Sequence, residues 1–429
     1  MTLRGARFDE PVEPADLLAA GLRTRPDATA IVSLDGRWSY AELDALSRRL
    51  ASSYGALGLR PGDRFASLMP NGGMLLVHYL ACLYAGIVAV PLNYRYTPTE
   101  IEHALEKSGA RALLHHAERN ADVERCAQAG ALPLGVVTHR GDGRAGGPSL
   151  ESLAAAGDPT FAPHGGPSER PAFILFTSGS TGPAKGVTHT HRSLGFVFGS
   201  VAAGFEMTSA DTMLPASSLS HMGGLLFSLA TLSAGARLLV AHSFAPDETL
   251  RLLRAERPTV LCMYPSALFQ VVRHQGAVAA DFASLRLVRS GGDKVPTQLE
   301  DELAALSGVQ IDEAWGCTEL GLATMNPPSG RIVAGSIGQP LPGFEISLRD
   351  AENQEVATGV DGVAFARTGS LMRGYWNDPE ATAKVFRDGW FDTGDILRAD
   401  ADGYLWFHGR KKQIIVLDLL REDVRTVVD

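Results

Sequence analysis

The chain has 429 residues, which exceeds the ~250 to 300 residues that one apolar core usually serves, so we expect two or more packed subdomains. Hydrophobic residues make up 45% of the sequence and charged residues 20%, as is typical of a soluble globular protein. The formal net charge of −9 argues against nucleic acid and anionic membrane surfaces as partners.

The four cysteines lie far apart in the sequence, at Cys82, Cys126, Cys262 and Cys317. This spacing argues against a disulfide framework and against a zinc site. The amino terminus, MTLRGARFDEPVEPADLL, lacks the apolar core of a signal peptide. We therefore expect a protein of the reducing cytoplasm.

A long apolar run, Leu75 to Leu92, raises the question of a membrane span. His78, Gly86 and Pro91 interrupt the run, and alternating helical patterns and β-branched segments surround it. We therefore predict a buried helix that ends near Gly86, followed by a short strand, IVAVPL.

A helix start follows in the sequence TPTE, where Thr97 is the N-cap, Pro98 the first helical residue and Glu100 its partner in a capping box. This helix should end near Gly109. The amino-terminal half thus has the alternation of an α/β fold. Seven glycines and five prolines between residues 141 and 171 predict a long loop or a boundary between layers.

The most distinctive stretch is TSGSTGPAKG, residues 177 to 186. Its glycines let backbone N–H groups form a concave cradle, its hydroxyls add donors, and Lys185 adds a positive charge, a chemistry that suits phosphate. It is not a Walker loop, because Gly179 and Gly182 are too close together and Gly186 stands where that loop has a hydroxyl. A Gly/Ser surface turn is the alternative interpretation.

Strand patterns flank this loop on both sides. The apolar run AFILF precedes it and the alternating sequence GVTHTH follows it, so the loop should join two strands. His189 and His191 have an i, i+2 spacing that also occurs in metal sites, but we interpret both as strand residues.

Two further clusters carry carboxylates. In WGCTEL, Thr318 offers a hydroxyl and Glu319 a carboxylate that could hold Mg²⁺ near a triphosphate, although Thr-Glu pairs also commonly cap helices. In GWFDTGDIL we interpret Asp392 as the cap of a turn, and Asp395 as a carboxylate that can accept both hydroxyls of a ribose.

The pattern changes beyond about Gly335, where short strands alternate with Gly/Pro/Asp turns. This predicts a small β-subdomain. Three cations, Arg410, Lys411 and Lys412, follow its last strand, and such a run is most often a solvated face.

In this order and at these intervals, these stretches resemble the ANL superfamily of adenylate-forming enzymes, which includes acyl-CoA synthetases, peptide-synthetase adenylation domains and firefly luciferase. The resemblance runs through WSYAELDALSRRLA, LACLYAGIVAVPLNYRYTPTEI, the loop, LVRSGGDKVP, WGCTEL, LMRGYWNDPEATAKVFRDGWFDTGD and GRKKQIIV. It implies an α/β fold with two stacked α/β subdomains over about 1–335, a β-barrel-like subdomain over about 336–409, and a hinge with an atypical tail over 410–429.

The resemblance implies that ATP and Mg²⁺ activate a carboxylic acid as an acyl-adenylate, and that CoA then displaces AMP. For the phosphates it implies the loop residues Thr177, Ser178, Gly179, Ser180, Thr181, Gly182 and Lys185. Thr318 would contact the α-phosphate and Glu319 the metal ion. For adenine, ribose and the acyl pocket it implies Gly291, Gly292, Ala314, Trp315, Gly316, Asp395 and Arg410.

His221, in LSHMGG, matches the family's pocket-wall position, and with Lys185, Thr318 and Glu319 it would complete the catalytic set. On its own, such a histidine is more often structural. Trp315 stands where most relatives carry tyrosine, which keeps a flat aromatic wall. Asp293 and Lys294 are charged where small or apolar residues are common; we expect them to pair with each other at the surface, with a polar substrate as the alternative.

The end of the sequence also departs from the family. Relatives continue after the hinge, here Lys412, with a Gly-Gly-x-Asn-Ile-type segment and a small mobile domain, whereas this chain reads LDLLREDVRTVVD. We therefore expect the mobile domain and its lysine to be absent, and thioester formation by this chain to be weak.

Four functions are compatible with this resemblance and with the departures from it. The first is an AMP-forming ligase that joins an aliphatic or aryl acid to CoA. A carrier-protein thiol in place of CoA, and a homodimer, are both compatible with this function. A peptide-synthetase adenylation domain would need an aspartate near His221, and the sequence has none there. An oxidative role like that of luciferase has no discriminating residue. The fourth is a catalytically weak nucleotide or acyl-adenylate binding protein.

Overall fold

The computed structural model describes residues 1–9, 11–141, 147–164, 168–177 and 184–411. Within these residues the strands are β1 (Thr2–Arg4), β2 (Thr29–Ser33), β3 (Gly36–Ser39), β4 (Arg64–Leu68), β5 (Val88–Pro91), β6 (Ala112–His116), β7 (Val136–His139), β8 (Pro171–Thr177), β9 (Lys185–Thr190), β10 (Thr212–Ala216), β11 (Arg237–Leu239), β12 (Val260–Met263), β13 (Leu287–Gly291), β14 (Ile311–Cys317), β15 (Gly321–Met325), β16 (Gln339–Pro340), β17 (Phe344–Arg349), β18 (Gly362–Thr368), β19 (Gly374–Tyr375), β20 (Phe386–Arg387), β21 (Trp390–Ala399) and β22 (Leu405–Arg410).

The helices of the same residues are α1 (Ala19–Thr24), α2 (Tyr40–Ala56), α3 (Gly73–Ala85), α4 (Pro98–Ser108), α5 (Asn120–Glu124), α6 (Ala127–Gly130), α7 (Leu150–Ala156), α8 (His191–Gly204), α9 (Met222–Ser233), α10 (Pro246–Glu256), α11 (Pro265–Val272), α12 (Ala279–Phe282), α13 (Thr297–Ser307) and α14 (Pro379–Val385). Single turns of 3-10 helix lie at Pro14–Asp16 and Ala117–Arg119. The chain is therefore α/β, as the sequence predicted.

The largest sheet has nine strands in the order β16-β15-β14-β13-β12-β10-β11-β2-β3 among the described residues. Its centre, from β2 to β14, is parallel, and its outer strands are antiparallel. Because ligands of parallel sheets bind outside the carboxyl ends of the strands, the ends of β13 and β14 are the places to look for a site.

A second sheet has seven strands in the order β19-β9-β8-β5-β4-β6-β7, again counted over the described part of the chain. Its strands β4 to β8 pair in parallel, whereas β9 is antiparallel both to β8 and to β19. The sequence prediction that two strands flank the glycine-rich loop is confirmed by β8 and β9. The short strand β19, far away in sequence, brings a distant segment to the edge of this hairpin.

The third sheet is antiparallel throughout and contains β17, β18, β20, β21 and β22, which the change of pattern after Gly335 predicted. It also contains β1, from the amino terminus, which pairs with β17. The predicted range of 336–409 therefore lacks one strand of this sheet. Sequence pattern missed β1 because the segment has only three residues.

Capping and burial explain the helices next to the site. The capping box of α4 is present: the Thr97 amide donates to Glu100 Oε2 at 2.7 Å, and Gly109 ends the helix at φ +62°. Helix α3 is buried along its whole length and ends at Gly86, as predicted, so its apolar run packs against protein. None of the helices in the described ranges has the length and apolar character needed to cross a bilayer. The stretch from 141 to 171, expected to be a long loop or a boundary between layers, contains α7 among its described residues.

Candidate functional site

A cavity of about 380 Å³ lies where the carboxyl ends of β13 and β14 face β21 and β22. It contains many of the residues that the sequence assigned to a nucleotide. Its predicted lining residues are Gly292, Ala314, Trp315, Gly316, Asp395 and Arg410. Asp293, Lys294, Glu313, Ile337 and Phe407 complete the lining. The fold therefore brings the segments SGGDKVP, WGCTEL and DTGD together from three places in the sequence.

Gly292 lines this cavity, and its predicted neighbour Gly291 lies next to it without being part of the lining. Gly291 lies opposite Ala314 in the parallel pair β13–β14, and a Cβ atom on Gly291 would lie 2.8 Å from the Ala314 carbonyl oxygen. Gly292 has φ +85°, and a Cβ atom there would lie 2.7 Å from the ring of Tyr264. Larger residues are excluded at both positions, because the backbone must pass close to its neighbours.

Trp315, Asp395 and Arg410 form a polar group at the base of the cavity. The Trp315 indole Nε1–H donates to Asp395 Oδ2 at 2.8 Å, and Arg410 Nε lies 3.0 Å from Oδ1. The strand register places Asp395 directly opposite Arg410 in β21–β22. Asp395 is only 3% exposed, whereas the Arg410 side chain is 57% exposed. The carboxylate is therefore fixed from two sides, with its charge only partly compensated.

The two oxygens of Asp395 are held differently, since Oδ2 accepts the indole hydrogen bond and Oδ1 faces Arg410. Oδ1 is buried and accepts no well-aligned hydrogen bond from the described residues, although Arg410 is close to it. Burial raises the pKa of Asp395, while the Trp315 hydrogen bond and the Arg410 charge act against this rise. Because the Arg410 contact is not a well-aligned hydrogen bond, Oδ1 can still accept one from a hydroxyl group of a ligand.

Thr318 and Glu319 lie in the turn between β14 and β15, and no helix begins there among the described residues, so the helix-cap interpretation is wrong. The Thr318 carbonyl oxygen accepts a 2.8 Å hydrogen bond from His189 Nε2. Glu319 Oε1 accepts one of 2.9 Å from the Tyr375 hydroxyl. The turn is thus fixed by β9 on one side and β19 on the other.

The glycine-rich loop connects β8 and β9, whose register pairs Thr177 with Lys185. Lys185 is exposed, and its Nζ lies 4.8 Å from the centre of the Tyr375 ring. Ser178, Gly179, Ser180, Thr181 and Gly182 lie outside the described residues, as does Lys412. The described ends of the loop therefore lie on the same side of the hairpin as Glu319.

The two histidines of HTH have different positions. His189 is a buried residue of β9, but His191 is the first residue of α8, so the prediction that both are strand residues is wrong for His191. Thr190 caps that helix by accepting from the Ser193 amide at 3.1 Å, which ends the strand one residue earlier than the alternation suggested. His189 Nδ1 lies 3.0 Å from Ser193 Oγ, and burial lowers the pKa of His189 to about 4. His189 is therefore a neutral residue that orients the Thr318 carbonyl.

His221 precedes α9 and does not line the cavity. Asn93 Nδ2 lies 3.3 Å from His221 Nε2 and donates to it, and burial lowers the pKa of His221. The imidazole is therefore neutral, held by a residue of the segment LNYRY that follows β5.

The charged residues Asp293 and Lys294 do not pair as expected. Lys294 Nζ lies 2.6 Å from Glu313 Oε1, and Asp293 Oδ1 accepts only the Lys294 amide, at 2.8 Å. Glu313 is 4% exposed, so its buried carboxylate attracts the lysine more strongly than the exposed Asp293 does. Asp392 caps its own turn as predicted, accepting from the Gly394 amide at 3.0 Å.

Sequence reasoning missed three residues that hold the site: Asn93, His189 and Tyr375. Asn93 and Tyr375 lie in segments that carried the family resemblance, and His189 lies in the strand after the loop, but none has a spacing that reveals its partner. Tyr375 is 56 residues from Glu319 and Asn93 is 128 residues from His221. Only the tertiary fold makes these contacts visible.

Comparison with known proteins gives one family for this chain. The model of the AMP-binding enzyme family matches residues 18–376. A feruloyl-CoA synthase of an Amycolatopsis species is 33% identical over 397 residues, which is 92% of this chain and 78% of the relative. A fatty acid–[acyl-carrier-protein] ligase, ScoC of Streptomyces coeruleorubidus, is 31% identical over 91% of this chain and 75% of its own length.

Solved structures have the same fold. The ATP-bound crystal structure of MatB from Rhodopseudomonas palustris superposes with a TM-score of 0.86 at 31% identity. The match covers 93% of this chain and 79% of MatB.

Proposed function

The chain belongs to the AMP-binding enzyme family, in which acid–CoA ligases are among the relatives most similar to it, and we propose that it uses ATP to activate an aliphatic or aryl carboxylic acid. The acid would become an acyl-adenylate, and the thiol of CoA would then displace AMP to give a thioester. The observation that carries this proposal is Asp395: a buried carboxylate in the cavity, oriented by Trp315, whose Oδ1 faces Arg410 but accepts no well-aligned hydrogen bond from the described residues.

In this proposal the nucleoside of ATP occupies the cavity. The adenine would lie beside Trp315 and the backbone of Gly291 and Gly292, neither of which has room for a larger side chain. The ribose hydroxyls would donate to Asp395, with Arg410 nearby to balance the charge. We also propose that residues 1–409 form the activating unit, because the six-stranded sheet contributes Asp395 and the nine-stranded sheet contributes Trp315.

The phosphates would then extend toward the hairpin β8–β9. Thr177 and Lys185 would bind them together with the loop residues between them, and Thr318 would contact the α-phosphate. Glu319 fits a magnesium ion, since that ion commonly takes one or two protein carboxylates and fills its remaining positions with phosphate oxygens and water. Bound Mg²⁺ would neutralise phosphate charge during the attack.

In the first half-reaction a carboxylate oxygen of the acid forms a bond to the α-phosphorus, and the bond to the β-phosphate oxygen breaks, releasing pyrophosphate. Both reactants are anions, so the work of the protein is to position them and to neutralise charge. Lys185 supplies a fixed cation for the phosphates. His221, neutral and held by Asn93, would form a wall of the acyl pocket without adding charge next to the acid.

Two relatives support two classes of acid and two thiol acceptors. One is named for a ferulic acid and CoA, the other for a fatty acid and an acyl carrier protein. We favour CoA because the other similar ligases are also named for it. A carrier-protein thiol is the second candidate, supported by the relative from Streptomyces coeruleorubidus.

The test is exchange of labelled pyrophosphate into ATP, measured for a panel of aliphatic, benzoic and cinnamic acids. At least one acid should stimulate exchange well above the rate without acid, and hydroxylamine should trap its acyl group. If no acid stimulates exchange while calorimetry detects ATP binding, the chain is a nucleotide-binding protein and the proposed activation is wrong.

A further inference from the structure

Tyr375 lies between Lys185 and Glu319, the side chains that we propose to bind the phosphates and the metal ion. Its hydroxyl donates to Glu319 Oε1 at 2.9 Å, and the face of its ring lies 4.8 Å from Lys185 Nζ. Lys185 and Glu319 are 134 positions apart in the sequence, and Tyr375 comes from a third segment. One side chain therefore contacts both a cation and a carboxylate that are distant in sequence.

Backbone contacts fix Tyr375 in this position. The Trp376 amide donates to the Gly186 carbonyl at 2.7 Å, and the Met372 amide donates to the Glu319 carbonyl at 2.7 Å. The Tyr375 amide donates to Thr382 Oγ1 at 2.9 Å. The Arg373 amide also donates to the hairpin, at the Thr188 carbonyl, so the backbone that carries the Tyr375 ring is bound both to the hairpin and to the Glu319 turn.

The chemistry of each contact is specific. The Tyr375 hydroxyl is a neutral donor to Glu319, so it binds the carboxylate without neutralising its charge. A donor on one oxygen of Glu319 restricts rotation of the carboxylate and leaves the other oxygen free for a cation. The electron-rich ring face attracts the lysine ammonium and limits its rotamers.

We propose that Tyr375 is a positioning residue which directs Glu319 toward Mg²⁺ and holds Lys185 toward the phosphates. This role rests on the proposed function, since it requires that Mg-ATP binds here. Through Tyr375, the metal ligand and the phosphate-binding lysine are held in one fixed arrangement. Tyr375 belongs to the motif GYW, which is part of the family resemblance and had no role assigned to it.

The test separates the two contacts with two substitutions and a binding measurement. Calorimetry gives the affinity of the full chain for ATP with Mg²⁺ and for ATP with a chelator, and the ratio of the two is the enhancement by Mg²⁺. Tyr375→Phe removes the hydroxyl and keeps the ring, so the enhancement should fall by about threefold to tenfold. Affinity for metal-free ATP and for AMP should stay within about twofold of wild type, since neither ligand uses the hydroxyl.

Tyr375→Leu removes the ring as well. Metal-free ATP should then also bind about twofold to fivefold more weakly, because Lys185 loses its support. In a chain with Glu319→Gln, adding Tyr375→Phe should cause no further loss of the enhancement, since the hydroxyl acts through that carboxylate. This cycle distinguishes positioning from a general loss of structure.

Tyr94 provides a matched control. Its hydroxyl donates to Glu118 Oε2 at 2.8 Å, and the Arg119 guanidinium lies 5.3 Å from its ring centre, so it repeats the arrangement away from the loop. Tyr94→Phe should leave the enhancement unchanged.

Three results would overturn the inference: an unchanged enhancement in Tyr375→Phe, an equal loss for AMP, or a further loss in the Glu319→Gln chain. Failure of the wild-type chain to bind Mg-ATP would overturn both this role and the proposed function. Mg-ATP binding by wild type with an unchanged Tyr375→Phe variant would overturn this role alone.

Discussion

The indole N–H of Trp315 donates a 2.8 Å hydrogen bond to the carboxylate of Asp395, across 80 residues of sequence and between two sheets. Trp315 is in β14 of the nine-stranded sheet and Asp395 is in β21 of the six-stranded sheet. The bond therefore sets the orientation of the carboxylate that we propose to bind ribose relative to the wall against which adenine would lie.

We expect Trp315→Phe to weaken AMP binding by about threefold to tenfold, because phenylalanine keeps an aromatic wall but cannot donate to Asp395, and a hydrogen bond of this kind contributes about 1 kcal/mol. Calorimetry with AMP measures the change. Trp390→Phe makes the same replacement in the third sheet and should not alter AMP affinity. Unchanged affinity of Trp315→Phe would show that Asp395 holds its orientation without the indole.

Asp395→Asn should separate stability from binding. Because burial raises the pKa of Asp395 in the folded chain, the folded chain holds more protons than the unfolded chain between the ordinary value, about 3.9, and the raised value. Ionisation above this window therefore costs stability. At pH 7 the neutral asparagine should give a chain at least as heat-stable as wild type, whereas AMP affinity should fall about tenfold or more.

The binding of adenosine gives a second readout of the same residue. Wild-type affinity should fall as the pH decreases through the raised pKa of Asp395, since a protonated carboxyl accepts hydroxyl groups less well. Asp395→Asn should remove this pH dependence, and adenosine avoids titration of a phosphate. A clearly destabilised variant with normal affinity would make Asp395 a structural residue.

Glu319→Gln should reduce pyrophosphate exchange with Mg-ATP by about 10²-fold or more, while AMP affinity stays close to that of wild type. The reason is that AMP lacks the β- and γ-phosphates that recruit the metal ion. Glutamine can still accept the Tyr375 hydroxyl, so the turn should keep its conformation. Equal losses for exchange and for AMP binding would indicate that the residue only supports the turn.

Local chemistry made some of this structure predictable. The capping box at Thr97, the glycine that ends α3 and the two strands around the loop all depend on residues within a few positions of one another. Trp315 could be assigned only through the family resemblance, whereas Asp395 was already a candidate from its place in the turn DTGD. Their hydrogen bond could not be predicted, because the resemblance places tyrosine at the first position.

Tertiary contacts decided the rest. Lys294 pairs with Glu313 and not with Asp293, its neighbour in sequence, because β13 and β14 place the buried carboxylate within reach of the lysine. His191 continues the alternation of β9 in sequence, but Thr190 caps a helix at that point. In both cases the neighbouring residues in sequence suggested one local structure, and the folded chain has another.

Burial of His191 leads to a prediction on acid stability. Its pKa is lowered to about 4 by burial and by the charge of Arg170, and its Nε2 has no hydrogen-bond partner among the described residues. The unfolded chain binds a proton at about pH 6.5 and the folded chain only near pH 4. Stability should therefore fall as the pH decreases through this window, by roughly 3 kcal/mol for this residue.

His191→Phe keeps a flat ring in the same space and cannot take up a proton, so melting temperature should decline less steeply between pH 6.5 and 4 than in wild type. The exposed His164, replaced in the same way, provides the control and should leave the wild-type slope unchanged. Because His189 and the buried His78 also remain neutral in the folded chain, part of the acid sensitivity should persist in His191→Phe. A slope identical to that of wild type would show that His191 is protonated in the folded chain, and that the burial around the start of α8 is incomplete.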